Sequence, residues 1–482
     1  MRSADAAAFK RAAVEMLTLD HLPETANGPR KKKNFPLTDA GNGERIAERY
    51  CNEVRYCYPM KSWFVFDGRR WTADVTGEML QRTKVVARSL YDEAAHLEDS
   101  ETRRRVSDWA RKCESADRLR AALFCAQSEK GIPVLPEDFD CDPFLLNCQN
   151  GVVDLRTGLL RKHHSGDMIS RIAPVVFDAR AQSELWDKFL REITSGDAEL
   201  QRFLQLAAGY SLSGSVAEEV LFFVHGPGGS GKSTFLEALK SAFGDYAKVA
   251  DFESFISRRD AGQIRNDIAE LVGRRFVVSI EVEEGKKLAE GLVKMLTGGD
   301  TVRARFLYQE AFDFLPSFKL WLAANSAPKV RDSDSAMWRR ILRLPFEAVV
   351  PKADRDPSVK LRLKDATLSG PAVLAWAVQG CLEWQKSGLQ IPGCVERATE
   401  EYRLSQDPLR DFLSEYCSLS PDDWTATDVL RRSYEEWASD LGERHPLGRQ
   451  TFNERLIAAG CEQKKLAGRR GWAGIGLLKD HA

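Results

Sequence analysis

The sequence contains no run of about 18 consecutive apolar residues, so a membrane-spanning helix is not among its readings. Its opening, MRSADAAAFKRAAVEML, also lacks the apolar stretch of a secretory signal, and the cytoplasm is the expected compartment. Neither charge dominates: 70 Lys+Arg stand against 71 Asp+Glu, a net charge of -1. A chain that coats nucleic acid by bulk charge is thereby excluded, and any such contact must come from local basic patches. The ten cysteines include no C-x2-C pair; the closest are Cys51 with Cys57 and Cys141 with Cys148. Structural zinc is not expected, and scattered reduced thiols are. There is no His-x-His pair, and adjacent His163 and His164 would face opposite ways in a strand. Internal repeats and low-complexity tracts are absent as well.

What the chain does have is 482 residues, 43% of them hydrophobic and 29% charged, enough for two to four domains with soluble surfaces. Residues 1–36 read as a short helix followed by a basic linker, Gly28-Pro29-Arg30-Lys31-Lys32-Lys33. Residues 37–185 read as an α+β domain. In it Asp67-Gly68, between Trp63-Phe64-Val65-Phe66 and Trp71, predicts a type I′ hairpin. Residues 186–215 read as a helical collar, 216–350 as an α/β core, 351–404 as a helical extension and 405–482 as a small C-terminal domain. Asp138, Asp140 and Asp142 suggest a calcium loop, but Pro143 and Gln149 stand where an EF-hand needs Gly and Glu, so that reading is rejected.

The strongest local signal is Gly226-Pro227-Gly228-Gly229-Ser230-Gly231-Lys232-Ser233-Thr234, which matches G-x-x-x-x-G-K-[ST]. It follows the apolar strand Val220–Val224 and precedes a helical segment, the setting in which backbone N–H groups converge on phosphates at a helix start. ATP with Mg2+ is the expected ligand. Lys232 would reach the β- and γ-phosphates, and Ser233 would complete the metal shell. A second buried strand, from Arg274, runs into Glu281, Glu283 and Glu284. One of these carboxylates is needed for Mg2+ and another to activate water. A third strand, Lys319–Ala324, ends in Asn325, a polar group at the carboxyl end of a sheet where ligands bind. Arg339 and Arg340 are candidates for an arginine supplied to a neighbouring subunit's site.

In this order the elements resemble superfamily 3 helicases, and more specifically the phage and plasmid primase-helicases related to the poxvirus primase-helicase, over roughly residues 37–480. The block between the acids and Asn325, Lys294-Met295-Leu296-Thr297-Gly298-Gly299-Asp300-Thr301-Val302-Arg303-Ala304-Arg305, carries the likeness. In relatives it forms a hairpin that grips DNA in a ring's channel. The resemblance therefore implies DNA contacts at Lys294, Arg303, Arg305, Tyr308 and Gln309, and it favours Arg340 over Arg339 as the trans-acting arginine. It further implies an AAA+-type P-loop motor preceded by an α+β domain and followed by a winged helix. Lys464, Lys465, Arg469 and Arg470 would lie near the wing. The expected assembly is a homo-oligomer, a hexameric ring, on single-stranded and forked DNA, working with a separate primase or polymerase because no primase domain is legible. In relatives Asn often stands where Ser230 does. The acids leave the base open between Glu283 and Glu284, with Glu281 assigned to the metal. Two other functions fit the same motifs, an origin-binding initiator and a nucleotide-dependent ring that does not unwind.

Overall fold

A computed structural model describes residues 35–256, 266–280, 286–306, 311–330, 335–349, 351, 356–406, 408–440 and 446–478. The helix and basic linker expected over 1–36 therefore lie outside the described residues, apart from Phe35 and Pro36. The chain divides into two compact units, residues 1–65 with 73–134, and residues 66–72 with 135–482.

The first unit contains helices Asp39–Tyr50, Glu78–Ala95, Ser100–Cys113 and Ala116–Ala126. Side chains of Asp99 and Ser115 accept backbone N–H groups at the starts of the last two, which satisfies donors that a helix start leaves open. Strand Val54–Cys57 runs antiparallel to Ser62–Phe66 and parallel to Pro133–Val134. Ile46, Val54, Val86 and Ala122 form part of its core.

In the second unit the turn expected at Asp67-Gly68 is wider than two residues. The Asp67 carboxylate accepts the N–H groups of Arg69 and Arg70, a side-chain turn that competes with the tight type I′ form. The expected 37–185 domain also divides differently, because the antiparallel strands Leu145–Cys148, Gly151–Asp154 and Leu159–Arg161 belong to the second unit. Leu146, Val153, Leu155, Val175 and Phe177 share one core cluster with Trp186, Phe203 and Phe222, so this segment has its apolar partners downstream.

At the centre lie five parallel strands: β1 (Leu221–His225), β2 (Ala247–Val249), β3 (Phe276–Ile280), β6 (Lys319–Ala324) and β7 (Ile341–Pro345). Between β3 and β6 the chain forms the antiparallel hairpin of β4 (Val302–Arg305) and β5 (Ala311–Phe314). The sheet order is β7-β1-β6-β3-β2. Phe222, Val224, Phe276, Val278, Trp321 and Ala323 face one core, whereas Leu221, Phe223, Val277, Leu320, Leu322 and Ala324 face the other. Unbroken apolar strands are what burial on both faces demands.

Two cations sit at the amino ends of β3 and β6. Arg275 is 5% exposed and donates to the carbonyls of Leu212 and Leu145, each at 2.9 Å. Lys319 is 1% exposed and donates to the carbonyls of Ser213 and Ser215 while lying 4.7 Å from the Tyr210 ring centroid. Helix Ala198–Leu212 ends at these groups, where its free carbonyls and dipole favour positive charge.

That helix crosses helix Gly370–Ser387 at a glycine pair. A Cβ on Gly209 would lie 2.0 Å from the Cys381 nitrogen, and one on Gly380 would lie 2.0 Å from the Gln205 carbonyl oxygen. Residues from 408 onward form helices Pro408–Tyr416, Thr427–Asp440 and Arg449–Ala458 with a sheet of Trp424–Ala426, Arg469–Ala473 and Glu462–Leu466, around Phe412, Tyr434, Trp437 and Trp472. Among the described residues no helix is long and apolar enough to cross a membrane, and all ten cysteines are free thiols.

The glycine crossing gives a direct test of the packing. Gly209→Ala forces backbone apart and is expected to lower unfolding stability by about 1–3 kcal/mol, the usual cost of overpacking. An unchanged denaturant midpoint would show that the two helices separate without strain.

Candidate functional site

The loop Gly226–Gly231 leaves β1 and enters helix Lys232–Phe243. It is glycine-rich for two separate reasons. Gly226 passes so close to β7 that a Cβ would lie 1.9 Å from the Phe346 carbonyl oxygen, and Gly231 adopts φ +84° with its missing Cβ 2.4 Å from Ile193. Phe189 also lies behind Gly231, so helix Glu184–Ile193 braces the loop. The loop helix has no side-chain cap and no acid in its first turn, which leaves its N–H groups for an anion.

Lys232 is 8% exposed, and its Nζ donates to the carbonyls of Gly226 at 2.6 Å and Pro227 at 2.8 Å and to Ser230 Oγ at 3.3 Å. Burial holds its pKa below the ordinary lysine value. A cavity of about 350 Å3 opens on residues 228–234 and is closed by Ile280, Ala323, Ala324 and Asn325. Loop residues Gly228, Gly229, Ser230, Gly231, Lys232, Ser233 and Thr234 thus meet the carboxyl ends of β3 and β6 in one place. Because β6 lies between β1 and β3, Asn325 follows the strand that separates the loop strand from the strand leading to the acids. Glu281, Glu283 and Glu284 lie outside the described residues; Ile280, immediately before them, lines the cavity.

The two arginines part company. Arg340 is 9% exposed and donates to Glu219 Oε2 and to the Ala336 carbonyl, each at 2.8 Å. Arg339 is exposed. Of the residues expected to meet DNA, Arg303 and Arg305 are exposed on one face of the β4–β5 hairpin, while Val302 and Ala304 on the other are buried. Lys294 lies elsewhere, on helix Glu290–Thr297, and Tyr308 and Gln309 lie outside the described residues. Among the described residues no group of three or more His, Cys, Asp and Glu is arranged to hold a metal.

One residue beside the loop escaped sequence reasoning. His225 ends β1, and its Nδ1 accepts from Arg343 Nη2 at 2.9 Å. Burial, then Arg343, then Lys232 push its pKa from 6.5 down to about 4. The rule that drew attention to Asn325, a polar side chain at the carboxyl end of an apolar strand, would have found it too.

Two family models match the chain. One, described as D5 N terminal like, matches residues 43–195, and the other, a family of unknown function (DUF5906), matches residues 224–340. The second therefore runs from the end of β1 through Asn325 to Arg340. A protein of Acanthamoeba polyphaga mimivirus, helicase by name, is 28% identical over 304 residues, 59% of this chain and 32% of that protein. One of Frog virus 3, also helicase by name, is 25% identical over 64% of this chain and 40% of its own length. One of African swine fever virus, primase by name, is 24% identical over 66% of this chain and 35% of its own. The chain is thus similar, over 59 to 66% of its length, to proteins of large DNA viruses named helicase or primase. It spans about a third to two-fifths of the length of these viral relatives. Among solved structures, the C-terminal region of NrS-1 aligns with a TM-score of 0.44 at 12% identity, covering 88% of this chain and 96% of that one.

The histidine supplies a pH signature. Folding depresses its pKa from 6.5 to about 4, so between these values the unfolded chain binds the proton and the folded chain does not. His225's contribution to stability is whole above pH 6.5 and is lost as pH falls toward 4. Denaturant titrations of His225→Asn should lack that part of the acid slope. A slope identical to the parent protein's would mean that His225 titrates normally.

Proposed function

We propose that this chain is the ATP-driven motor of a superfamily 3 DNA helicase, with an AAA+-type core that works as a ring. The observation that carries this reading is the cavity in which an uncapped helix start, a buried lysine and a strand-end amide converge. Lys232 would exchange the Gly226 and Pro227 carbonyls for β- and γ-phosphate oxygens, a swap that favours a ligand of high negative charge. The hydroxyl of Ser233 and the carboxylate of Glu281 would hold Mg2+, which neutralises charge developing on the transferred phosphoryl group. Glu283 or Glu284 would take the proton of the attacking water. Asn325, between loop and acids, would hydrogen-bond that water and the γ-phosphate.

An arginine acting on a neighbouring subunit has to leave its own surface. Arg340 is engaged by Glu219 and Ala336, which makes the exposed Arg339 the better candidate for that role. Arg303 and Arg305 on the hairpin would neutralise phosphates of a single strand drawn through the ring. The C-terminal unit, meaning here residues 408–478 within the second compact unit and read as a winged helix, has Lys464, Lys465, Arg469 and Arg470 exposed on its terminal hairpin and would hold duplex or forked DNA. That basic hairpin also favours a second reading, an origin-binding initiator. Strand displacement on forked DNA without an origin sequence separates the two.

If this reading is right, Lys232→Ala loses ATP hydrolysis by on the order of a hundredfold or more, as removal of a transition-state donor does; retained turnover would place hydrolysis elsewhere. Mixing Arg339→Ala with Lys232→Ala subunits should restore part of the activity that each lacks alone. Rescue by Arg340→Ala subunits and not by Arg339→Ala would reverse the assignment. Changing Arg303 and Arg305 together to Ala should leave hydrolysis without DNA intact and remove its stimulation by single strands. Equal loss of both would assign the pair to folding.

A further inference from the structure

Helix Gly393–Ser405 lines no part of the nucleotide cavity, yet it contacts the segments that continue from its walls. The buried Tyr402 hydroxyl donates to the Pro328 carbonyl, three residues beyond Asn325. Just past the helix end, the Gln406 side-chain oxygen accepts the Val330 N–H at 3.1 Å. The same short segment is held from its other side. Lys329 donates its N–H to the Lys286 carbonyl at 2.7 Å, and Leu288 donates to the Lys329 carbonyl at 3.0 Å. Residues 328–330 are thus clamped between the stretch that follows the acidic residues and the end of one helix.

Further contacts reach neighbouring elements of the sheet. The Tyr402 ring lies edge-on to Trp338, next to Arg339, with centroids 5.2 Å apart, and 5.5 Å from Phe223 of the loop strand. Arg343 joins the helix to His225, donating from Nη1 to the Ala398 carbonyl at 3.2 Å and from its backbone N–H to Thr399 Oγ1 at 3.0 Å. The helix then leads through residue 407 into Pro408–Tyr416, whose Leu409 and Phe412 belong to the core of the C-terminal unit.

We infer that Tyr402 is a positioning residue of the nucleotide site and the point at which a movement of the Asn325 loop is passed to the C-terminal unit. This rests on the nucleotide reading given above. A shift of Pro328 away from a stationary helix would leave a buried hydroxyl and a buried carbonyl unpaired together, which is costly inside a core. Tyr402 and Gln406 lie four residues apart, on one side of the final turn, so the loop grips the helix at two points and resists its rotation. The helix therefore follows the loop. A rearrangement at the γ-phosphate that moves Asn325 becomes a displacement of the unit carrying the basic hairpin.

Hydrogen–deuterium exchange on the full chain, with and without a non-hydrolysable ATP analogue and Mg2+, tests both layers separately. The analogue is expected to slow exchange in Lys232–Phe243 and also to change it in Pro408–Tyr416 and Glu462–Ala473. Tyr402→Phe keeps the ring packing and removes only the hydroxyl. It should retain the first response and lose the second, and Gln406→Ala, at the less buried contact, should weaken the second likewise. DNA stimulation of hydrolysis should fall in both variants, and by a larger factor than hydrolysis without DNA. Absence of any response in Lys232–Phe243 of the parent protein would overturn the nucleotide reading itself. A parent response confined to Lys232–Phe243, or a C-terminal response that survives in both variants, would overturn the coupling alone.

Discussion

The apolar side chains of β1, β3 and β6 meet a hydrophobic core on either face, and this double burial governs the rest of the α/β core. A one-residue slip of a strand exchanges its two faces. Here the slip would not expose apolar groups, but it would send Trp321, stacked on Phe222 with centroids 4.4 Å apart, into the space shaped for Leu320 and Leu322. Cores packed at crystalline density do not absorb that exchange. The register is therefore held by side-chain volume rather than by polarity. With the register held, the carboxyl ends of β1, β3 and β6 come level, and the glycine loop, Asn325 and the approach to the acids arrive at one cavity.

Much of this was legible in the chain. The apolar runs before Gly226, Glu281 and Asn325 predict buried strands because periodicity and turn residues are local signals, and β1, β3 and β6 fall there. The glycine loop was legible for the same reason. Strand order was not, since the insertion of β6 between β1 and β3 is a pairing between distant segments. Nor was the place where the first compact unit ends, because the partners of Leu146 and Val175 lie downstream in Phe203 and Phe222. The engagement of Arg340 by Glu219 joins residues on opposite sides of the sheet in sequence, and a likeness of motif order does not carry that information. Tyr402 was invisible for a different reason: a tyrosine on a helix reads as ordinary core until its hydroxyl is seen to meet a carbonyl beside the site.

Arg275 and Lys319 show how the opposite end of the sheet is secured. Among the described residues neither forms an ion pair with a carboxylate; both are satisfied by carbonyls and by aromatic faces, those of Tyr246 and Tyr210. A buried cation without such partners would be severely penalised. The end of helix Ala198–Leu212 offers several unpaired carbonyls at once, so the helix and the two cations remove each other's desolvation problem. The α/β core is thereby polar at both ends of its sheet. One end is closed on itself, and the other opens on the cavity.

The crossing at Gly209 and Gly380 has a consequence for how the chain is made. One glycine lies on a helix synthesised before the first strand of the sheet and the other on a helix synthesised after the last. Contact so distant along the chain is slow to form, because loop closure must precede its reward. During synthesis the helix Ala198–Leu212 emerges with its glycine face bare and waits for the whole sheet to leave the ribosome before its partner appears. The apolar strands are exposed over the same interval, which makes this stretch of translation the period of greatest aggregation risk and of greatest demand for a chaperone.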